Sequence, residues 1–368
     1  MAESAGGGEP RLPEELVLWE ILTRLPAKSL LRCRAVCTSW RRSLTSDTGL
    51  LLAHHRRQPA LQLVTTGDAL EGRIDALDPR AGERRPVART DRAASPTDLD
   101  LLAACDGLLV VCAYGALHVC NPATRQRAPL PLLHAYHISG LYPHAASWSY
   151  SYRVLCWRKE PHDTADGRAV YYVHTVGSTE VRCVGEPPEP WATGDIAEVM
   201  PMLELFHPHV LVQGRFHWRL VELPGRKYNN MLVFDTVAES FRHVETPVEG
   251  DLWVLEDYQN NVWSLKHRIK VQRPVLFLVQ DAQGDVFINS KKKGTRSACG
   301  TCRSGTDGSV LTRYEWSGRL NLKRHRFKES LVRHAFFPTE GNGSVDETPL
   351  FNGLSAVVLL PDDNSEPD

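Results

Sequence analysis

The chain of 368 residues has no apolar run approaching the roughly 20 residues that a membrane span needs. It also lacks a basic-then-apolar leader: Met1 to Pro10 is glycine-rich with acidic residues and is expected to be disordered, as is the acidic, proline-bearing tail 361–368. Neither charge is in excess. Lys and Arg number 43 against 44 Asp and Glu, a net charge of −1, which argues against nucleic acid or a membrane surface as a partner held by bulk electrostatics. No G-x-S-x-G elbow, Walker loop, G-x-G-x-x-G or H-E-x-x-H occurs, so no familiar catalytic motif points to an enzyme. A disulfide framework is missing too. The 9 cysteines are odd in number, scattered, and mostly set in apolar runs such as 109–112. They read as small buried hydrophobes in a reducing compartment, cytoplasm or nucleus.

What the chain does have is an unusually apolar N-terminal segment. Leu18, Ile21, Leu22 and Leu25 fall at i, i+3, i+4, i+7, one face of a helix, and Cys33, Val36, Cys37 and Trp40 repeat the spacing. Pro13 suits a first helical turn and Pro26 ends the run. About three short helices cannot bury all these faces among themselves, since units under roughly 40 residues rarely fold unaided. The segment needs a partner surface.

The ordered motifs Leu12-Pro13-Glu14-Glu15-Leu16, Ile21 to Leu30 and Cys33 to Arg41 resemble the F-box, the module that docks substrate receptors on the Skp adaptor of SCF-type cullin ubiquitin ligases. The resemblance covers 11–50 and implies that Leu12, Pro13, Leu16, Ile21, Leu22, Leu25, Leu30 and Val36 pack on or towards the adaptor, with Trp40 closing the helices behind them. An ordinary helical hairpin packed on its own chain is the bland alternative.

Helical periodicity fades around 43–57, and from about Leu61 the chain becomes short β-type runs broken by Gly, Pro, Asn and Asp. Asp78-Pro79, Asn121-Pro122-Ala123-Thr124 and Phe234-Asp235-Thr236 are turns of a loose repeat. Recurrence at roughly 40–50 residues is the period of a propeller blade, and about 300 residues hold roughly six. An irregular sandwich is the alternative. A strand over 356–360 is expected to join an early blade and close the ring. The phrases Cys105 to Leu109, Asn121 to Arg125, Val212 to Trp218, Val233 to Phe241, Leu252 to Trp263 and Glu329-Ser330-Leu331 are similar to the F-box-associated β-domain of plant F-box proteins. The expected fold class is therefore α+β: a small three-helix F-box at 11–50, then a large all-β, propeller-like domain at 55–360. The β-domain, from about His54, is expected to fold alone.

Several clusters have the residue types of a site. Cys299 and Cys302 form a C-x-x-C without a second ligand pair at zinc spacing, and Cys33 and Cys37 read as core positions. His134, His137, His207 and His209 lack accompanying carboxylates. No cofactor or metal is expected. Tyr142, Trp148 and Tyr150 in a loop at 139–151, with Tyr152 directly after it, a second loop at 161–168, and Lys291, Lys292 and Lys293 in a third at 291–307 are the candidate target contacts, because loops vary on a rigid scaffold. The functional expectation is a non-catalytic receptor that binds the Skp adaptor, through it a cullin, and an unknown target protein. A non-degradative partner of the Skp subunit, or a ligand-binding propeller, is the alternative.

Overall fold

The computed structural model describes residues 12–66, 72–78, 83–90, 99–146, 149–161, 167–189, 210–219, 230–245, 252–257, 262–267, 275–280, 286–291, 299–304, 310–315, 320–338 and 357–359. The chain opens on a helical module. Pro13 precedes α1 (Glu14–Leu16), which runs into a π turn at Val17–Ile21 and a 3₁₀ turn at Leu22–Arg24. After Pro26 come α2 (Ala27–Cys33), α3 (Thr38–Ser46) and α4 (Thr48–Arg57). The periodic run from Cys33 to Trp40 is not one helix. Cys37 is exposed and extended (φ −156°), and its Sγ caps α3 by accepting from the Trp40 N–H at 3.5 Å. Asp47 caps α4 by accepting from Leu50 N–H at 3.0 Å. This last helix lies where helical periodicity faded, because two of its inward positions are histidines: His54 and His55 are buried with Leu50 and Leu51.

The strands that follow are β1 (Leu61–Thr66), β2 (Arg73–Asp78) and β3 (Glu83–Thr90); β4 (Leu99–Cys105), β5 (Leu108–Ala113), β6 (Ala116–Asn121) and β7 (Gln126–Pro129); and β8 (His137–Ala146), β9 (Ser149–Glu160), β10 (Arg168–Thr175) and β11 (Val181–Gly185). Next come β12 (Val210–Val212), β13 (Arg215–Arg219), β14 (Asn230–Asp235) and β15 (Ser240–Glu245); the pair β16 (Leu252–Asp257) and β17 (Val262–His267); and β18 (Val275–Gln280), β19 (Val286–Lys291), β20 (Cys299–Ser304) and β21 (Val310–Glu315). The last two are β22 (Leu320–Phe327) and β23 (Val357–Leu359). Among the described residues they form six sheets, each built from sequence neighbours except the first, whose order is β22-β1-β2-β3-β23.

That exception closes the fold. β22 pairs antiparallel with β1, Leu61 opposite Phe327, so the two ends of the β-part share one sheet. The strand expected over 356–360 is β23; it joins this early sheet, parallel to β3, on the other edge. β-Strands packed sheet on sheet in chain order give a propeller-like arrangement. Leu63, Ile74 and Ala88 of the first sheet meet Leu101, Leu109 and Val111 of the second in one core. Val110 and Val119 of the second meet Leu141, Val154 and Cys156 of the third. Leu155, Trp157 and Tyr171 of the third meet Phe216, Trp218 and Phe234 of the fourth.

The repeat is visible atom by atom. Asn121 Oδ1 accepts from Ala123 and Thr124 N–H at 3.1 and 3.4 Å, and Asp235 Oδ1 accepts from Val237 and Ala238 N–H at 2.9 and 3.0 Å. Each turn ends on a left-handed residue, Arg125 (φ 58°) and Glu239 (φ 48°). Asx side chains stabilise such turns by substituting for backbone acceptors. Asp106-Gly107 and Gln213-Gly214 have positive φ at both positions, as the tightest hairpins require.

Gly140 on β8 is needed for packing between sheets. A Cβ there would lie 2.5 Å from Phe216 Cζ. Gly140→Val should cost about 1–3 kcal/mol or more by overpacking, read as a lower denaturation midpoint at unchanged m-value.

Candidate docking site

The helical module presents apolar side chains to solvent. Leu12 is 64% exposed, Leu16 50%, Ile21 46%, Val36 64% and Trp19 37%; these are five of the nine large exposed apolar residues among those described. Pro13 is exposed beside Leu12. Leu25 is half-buried. Leu22 and Leu30 instead face inward, at 3% and 1%, packed with Ala27, Leu44, Leu50 and Leu51. The expected row thus splits. Leu12, Pro13, Leu16, Ile21 and Val36 form its outer part, while Leu22 and Leu30 hold the module together and Trp40 packs on that core.

The core of the module is completed by the β-part. Ala123, in the Asn121 turn, and Leu331 are buried within it. Glu329 Oε2 accepts from the Ala27 N–H at 3.1 Å, at the start of a helix that has no side-chain cap of its own. The Glu329 carbonyl meets His55 Nδ1 at 3.0 Å, and Lys328 Nζ donates to the Arg56 carbonyl at 3.3 Å. Asn121 Nδ2 donates to the Ser330 carbonyl at 3.1 Å. Gly107 lets this strap pass: a Cβ there would lie 2.5 Å from Ser330 Cβ.

Asp106 sits at the centre of the seam. His55 Nε2 stands 3.6 Å from one oxygen, and Tyr152 OH donates to the other at 3.2 Å. Burial acts to raise the Asp106 carboxyl, but the bond and charge of His55, with Tyr152, hold it below its usual value. His334 stacks on Phe336 and meets Tyr152 edge-on. Burial pushes its imidazole down to about 4, against the pull of Asp106 and with the push of His55; its Nε2 is buried without a hydrogen-bond partner. Between pH ~6.5 and 4 the unfolded chain binds a proton at His334 that the folded chain refuses. Stability should therefore fall as pH drops through that window, and His334→Phe should flatten the pH dependence of the melting temperature.

The expected target contacts fare differently. Residues 139–146 and 149–151 are strand, not loop, and the alternation of β8 and β9 turns Tyr142 and Tyr152 into the inter-sheet cores, at 0% and 6% exposed. Tyr142 OH donates to Glu239 Oε1 at 2.8 Å; Arg153 donates to the same oxygen at 2.5 Å, and Arg182 to the other. Trp148, Lys292 and Lys293 lie outside the described residues, as do the side chains of Tyr150 and of Lys291, which ends β19. His207, His209 and most of 161–168 also lie outside them. Part of the third expected loop is strand β20, which carries Cys299 and Cys302.

A patch missed in the sequence stands at the far end of β9. Tyr152 touches the helical module's end of the β-part; Arg158 is about 20 Å further along the strand, at ~3.3 Å per residue. Its guanidinium lies over the rings of Tyr136 and Tyr172, 5.0 and 5.2 Å from their centroids, and pairs with Glu160 at 2.5 Å. Burial, then the bond to Glu160, raises the Tyr172 phenol to about 12.

Residues 10–50 match the F-box domain family. An F-box protein of Arabidopsis thaliana is 24% identical over 304 residues, 70% of this chain and 72% of that protein. The chain carries an F-box and is similar to plant F-box proteins over most of its length. A second F-box protein of the same plant is 31% identical over 132 residues, 34% of this chain, which spans only 31% of that relative. A solved oligogalacturonate lyase in complex with manganese matches 70% of this chain and 66% of its own at 12% identity, with a TM-score of 0.25; a likeness that loose informs neither fold nor chemistry. The matched residues span α1 to α3 and the first turn of α4, and the helical module they belong to is seated on the β-part by the Lys328–Phe337 strap.

Proposed function

We propose that this F-box protein is the target receptor of an SCF-type ubiquitin ligase. Its F-box docks the Skp-type adaptor, through which a cullin is recruited, and its β-part, similar to an F-box-associated domain, holds a target protein. The observation that carries this reading is the exposed apolar set Leu12, Pro13, Leu16, Ile21 and Val36 on a module whose inner face is already filled by Ala123 and Leu331. An apolar surface left over after the module's own core is satisfied belongs to a partner.

The mechanism is proximity. Tethering raises the effective concentration of target lysines at the ubiquitin-charged enzyme, so the receptor itself does no bond chemistry. The shared core fixes the direction in which the β-part projects from the adaptor. The end of the sheets remote from the F-box then faces outward, and Tyr136, Arg158 and Tyr172 there are residue types favoured at interface hot spots. The seven free cysteines among the described residues suit a reducing compartment, cytoplasm or nucleus. The test is reconstitution. The purified chain with a Skp-type adaptor should co-elute with a cullin, and captured proteins should gain ubiquitin in its presence. Absence of a stable adaptor complex sinks the reading.

A further inference from the structure

The π turn at Val17–Ile21 carries an inference about the docking surface, and it rests on the reading that the F-box binds a Skp-type adaptor. In an α-helix four residues bring a side chain back to the same face; in a π turn five do. Here the Leu22 N–H bonds to the Val17 carbonyl, five residues back. Leu16 and Ile21, five apart, both lie outside, at 50% and 46% exposed, and Val17 and Leu22, five apart, both face the core. Removing one residue between them would restore both pairs at the four-residue spacing of an ordinary helix. One residue in this turn is therefore surplus to the two faces, and the wide turn absorbs it.

Trp19 stands at the middle of that turn. Its carbonyl, near the join between the π and 3₁₀ turns, accepts from the Thr23 hydroxyl at 2.6 Å and from Arg57 Nη1 at 2.8 Å; Arg57 also donates to Thr23 Oγ1 at 2.6 Å. Arg57 thus reaches from the end of α4 to hold the irregular turn. The tip of the indole lies over the start of α4: a Cβ at Gly49 would meet Trp19 Cη2 at 3.7 Å, an ordinary contact. Trp19 is 37% exposed, three residues on from Leu16. Isolated π turns are rare and occur mostly at functional sites.

We propose that Trp19 is an additional anchor for the adaptor. It flanks the Leu12, Leu16 and Ile21 row and enters an apolar pocket of the adaptor, while Arg57 acts as a positioning residue that holds the turn presenting it. A half-exposed tryptophan backed by a helix is rigid, large and costs little entropy to immobilise, which is why tryptophan is enriched among binding hot spots.

The experiment is titration of the full chain with a Skp-type adaptor by calorimetry, alongside thermal melting of the free chain. Trp19→Gln should weaken binding about 30-fold, the scale of a hot spot, and Trp19→Phe should recover most of it. Deletion of Trp19 should leave the helix and the Leu16–Ile21 row in register, so binding should persist at the affinity of Trp19→Gln. Arg57→Met should lose affinity and Arg57→Lys should restore part of it. Should the deletion fail to fold, the Gln and Phe variants, which leave the backbone intact, decide the matter. Unchanged affinity for both overturns the proposal, as does a lowered melting temperature without an affinity loss, since Trp19 would then only brace α4. If the unaltered chain itself fails to bind, the F-box reading falls and this one with it; if it binds and all Trp19 variants match it, only this one falls.

Discussion

A chain carrying Leu12→Asp and Leu16→Asp should melt as the unaltered protein does and fail to hold the adaptor. Both side chains are half or more exposed, and neither belongs to the F-box core. Removing them takes nothing from the folded monomer, and two carboxylates on the surface are readily solvated. In a complex each leucine would bury its side chain for ~1.5–3 kcal/mol. Losing both removes ~3–6 kcal/mol of affinity, a factor on the order of 10² to 10⁴ by calorimetry, before any cost of desolvating the new charges. Leu30→Ala is the converse control. At 1% exposed, between Leu22 and Leu50, it should cost about 2–5 kcal/mol of stability, and its effect on binding should follow only from the fraction unfolded. A double aspartate variant that binds normally would place the adaptor contact elsewhere.

The contrast between Leu12 and Leu30 was only half legible in the sequence. Periodicity identified the apolar positions of the helices, and the ordered motif identified the module. What periodicity cannot register is a five-residue turn. Leu18, Ile21 and Leu22 read as one face, yet the π turn sends Ile21 outward and leaves Leu18 and Leu22 on the core. α4 escaped because His54 and His55 fill positions where an apolar residue signals burial; His54 Nε2 meets the Leu25 carbonyl at 2.9 Å, while its Nδ1 is buried without a hydrogen-bond partner.

The β-part was more readable. Its turns carry their own chemistry in Asp106-Gly107, Tyr114-Gly115, Asn121 and Asp235, and the strands between them are short apolar runs, β5 and β6 being buried on both faces. The error at 139–151 has the same root in reverse. Ser139, Gly140 and Pro143 read as loop, but Ser139 is buried and Gly140 is there to admit Phe216, so a strand carries loop-like letters for packing reasons. The Tyr136, Arg158 and Tyr172 cluster joins three separate segments and leaves no local trace at all.

The seam between the two halves was the least visible feature, because its partners are some 300 residues apart in sequence; Ala27 and Glu329 are separated by 302. It makes the strongest structural prediction. Leu331→Asp should destabilise the whole chain, not only its C-terminal strap. Leu331 is 5% exposed among Leu22, Ala27, Leu30, Leu44, Leu50, Leu51 and Ala123, so a carboxylate there would be set among apolar side chains and cut off from water. An uncompensated buried charge costs several kcal/mol, of the order of the ~5–15 kcal/mol that holds a domain folded. The loss is shared by both halves, since the same substitution frees Glu329 from the Ala27 N–H and His55 from the strap. A β-part starting at about His54 should suffer likewise. That cut falls inside α4 and leaves Leu331 and Ala123 without the helices that cover them. Chemical denaturation of the full chain should be a single transition when followed by helix and sheet signals together, with Leu331→Asp moving both. Two separate transitions, or a fragment from His54 as stable as the full chain, would show instead that the F-box is only tethered to the β-part and that the strap sets no fixed direction for the target.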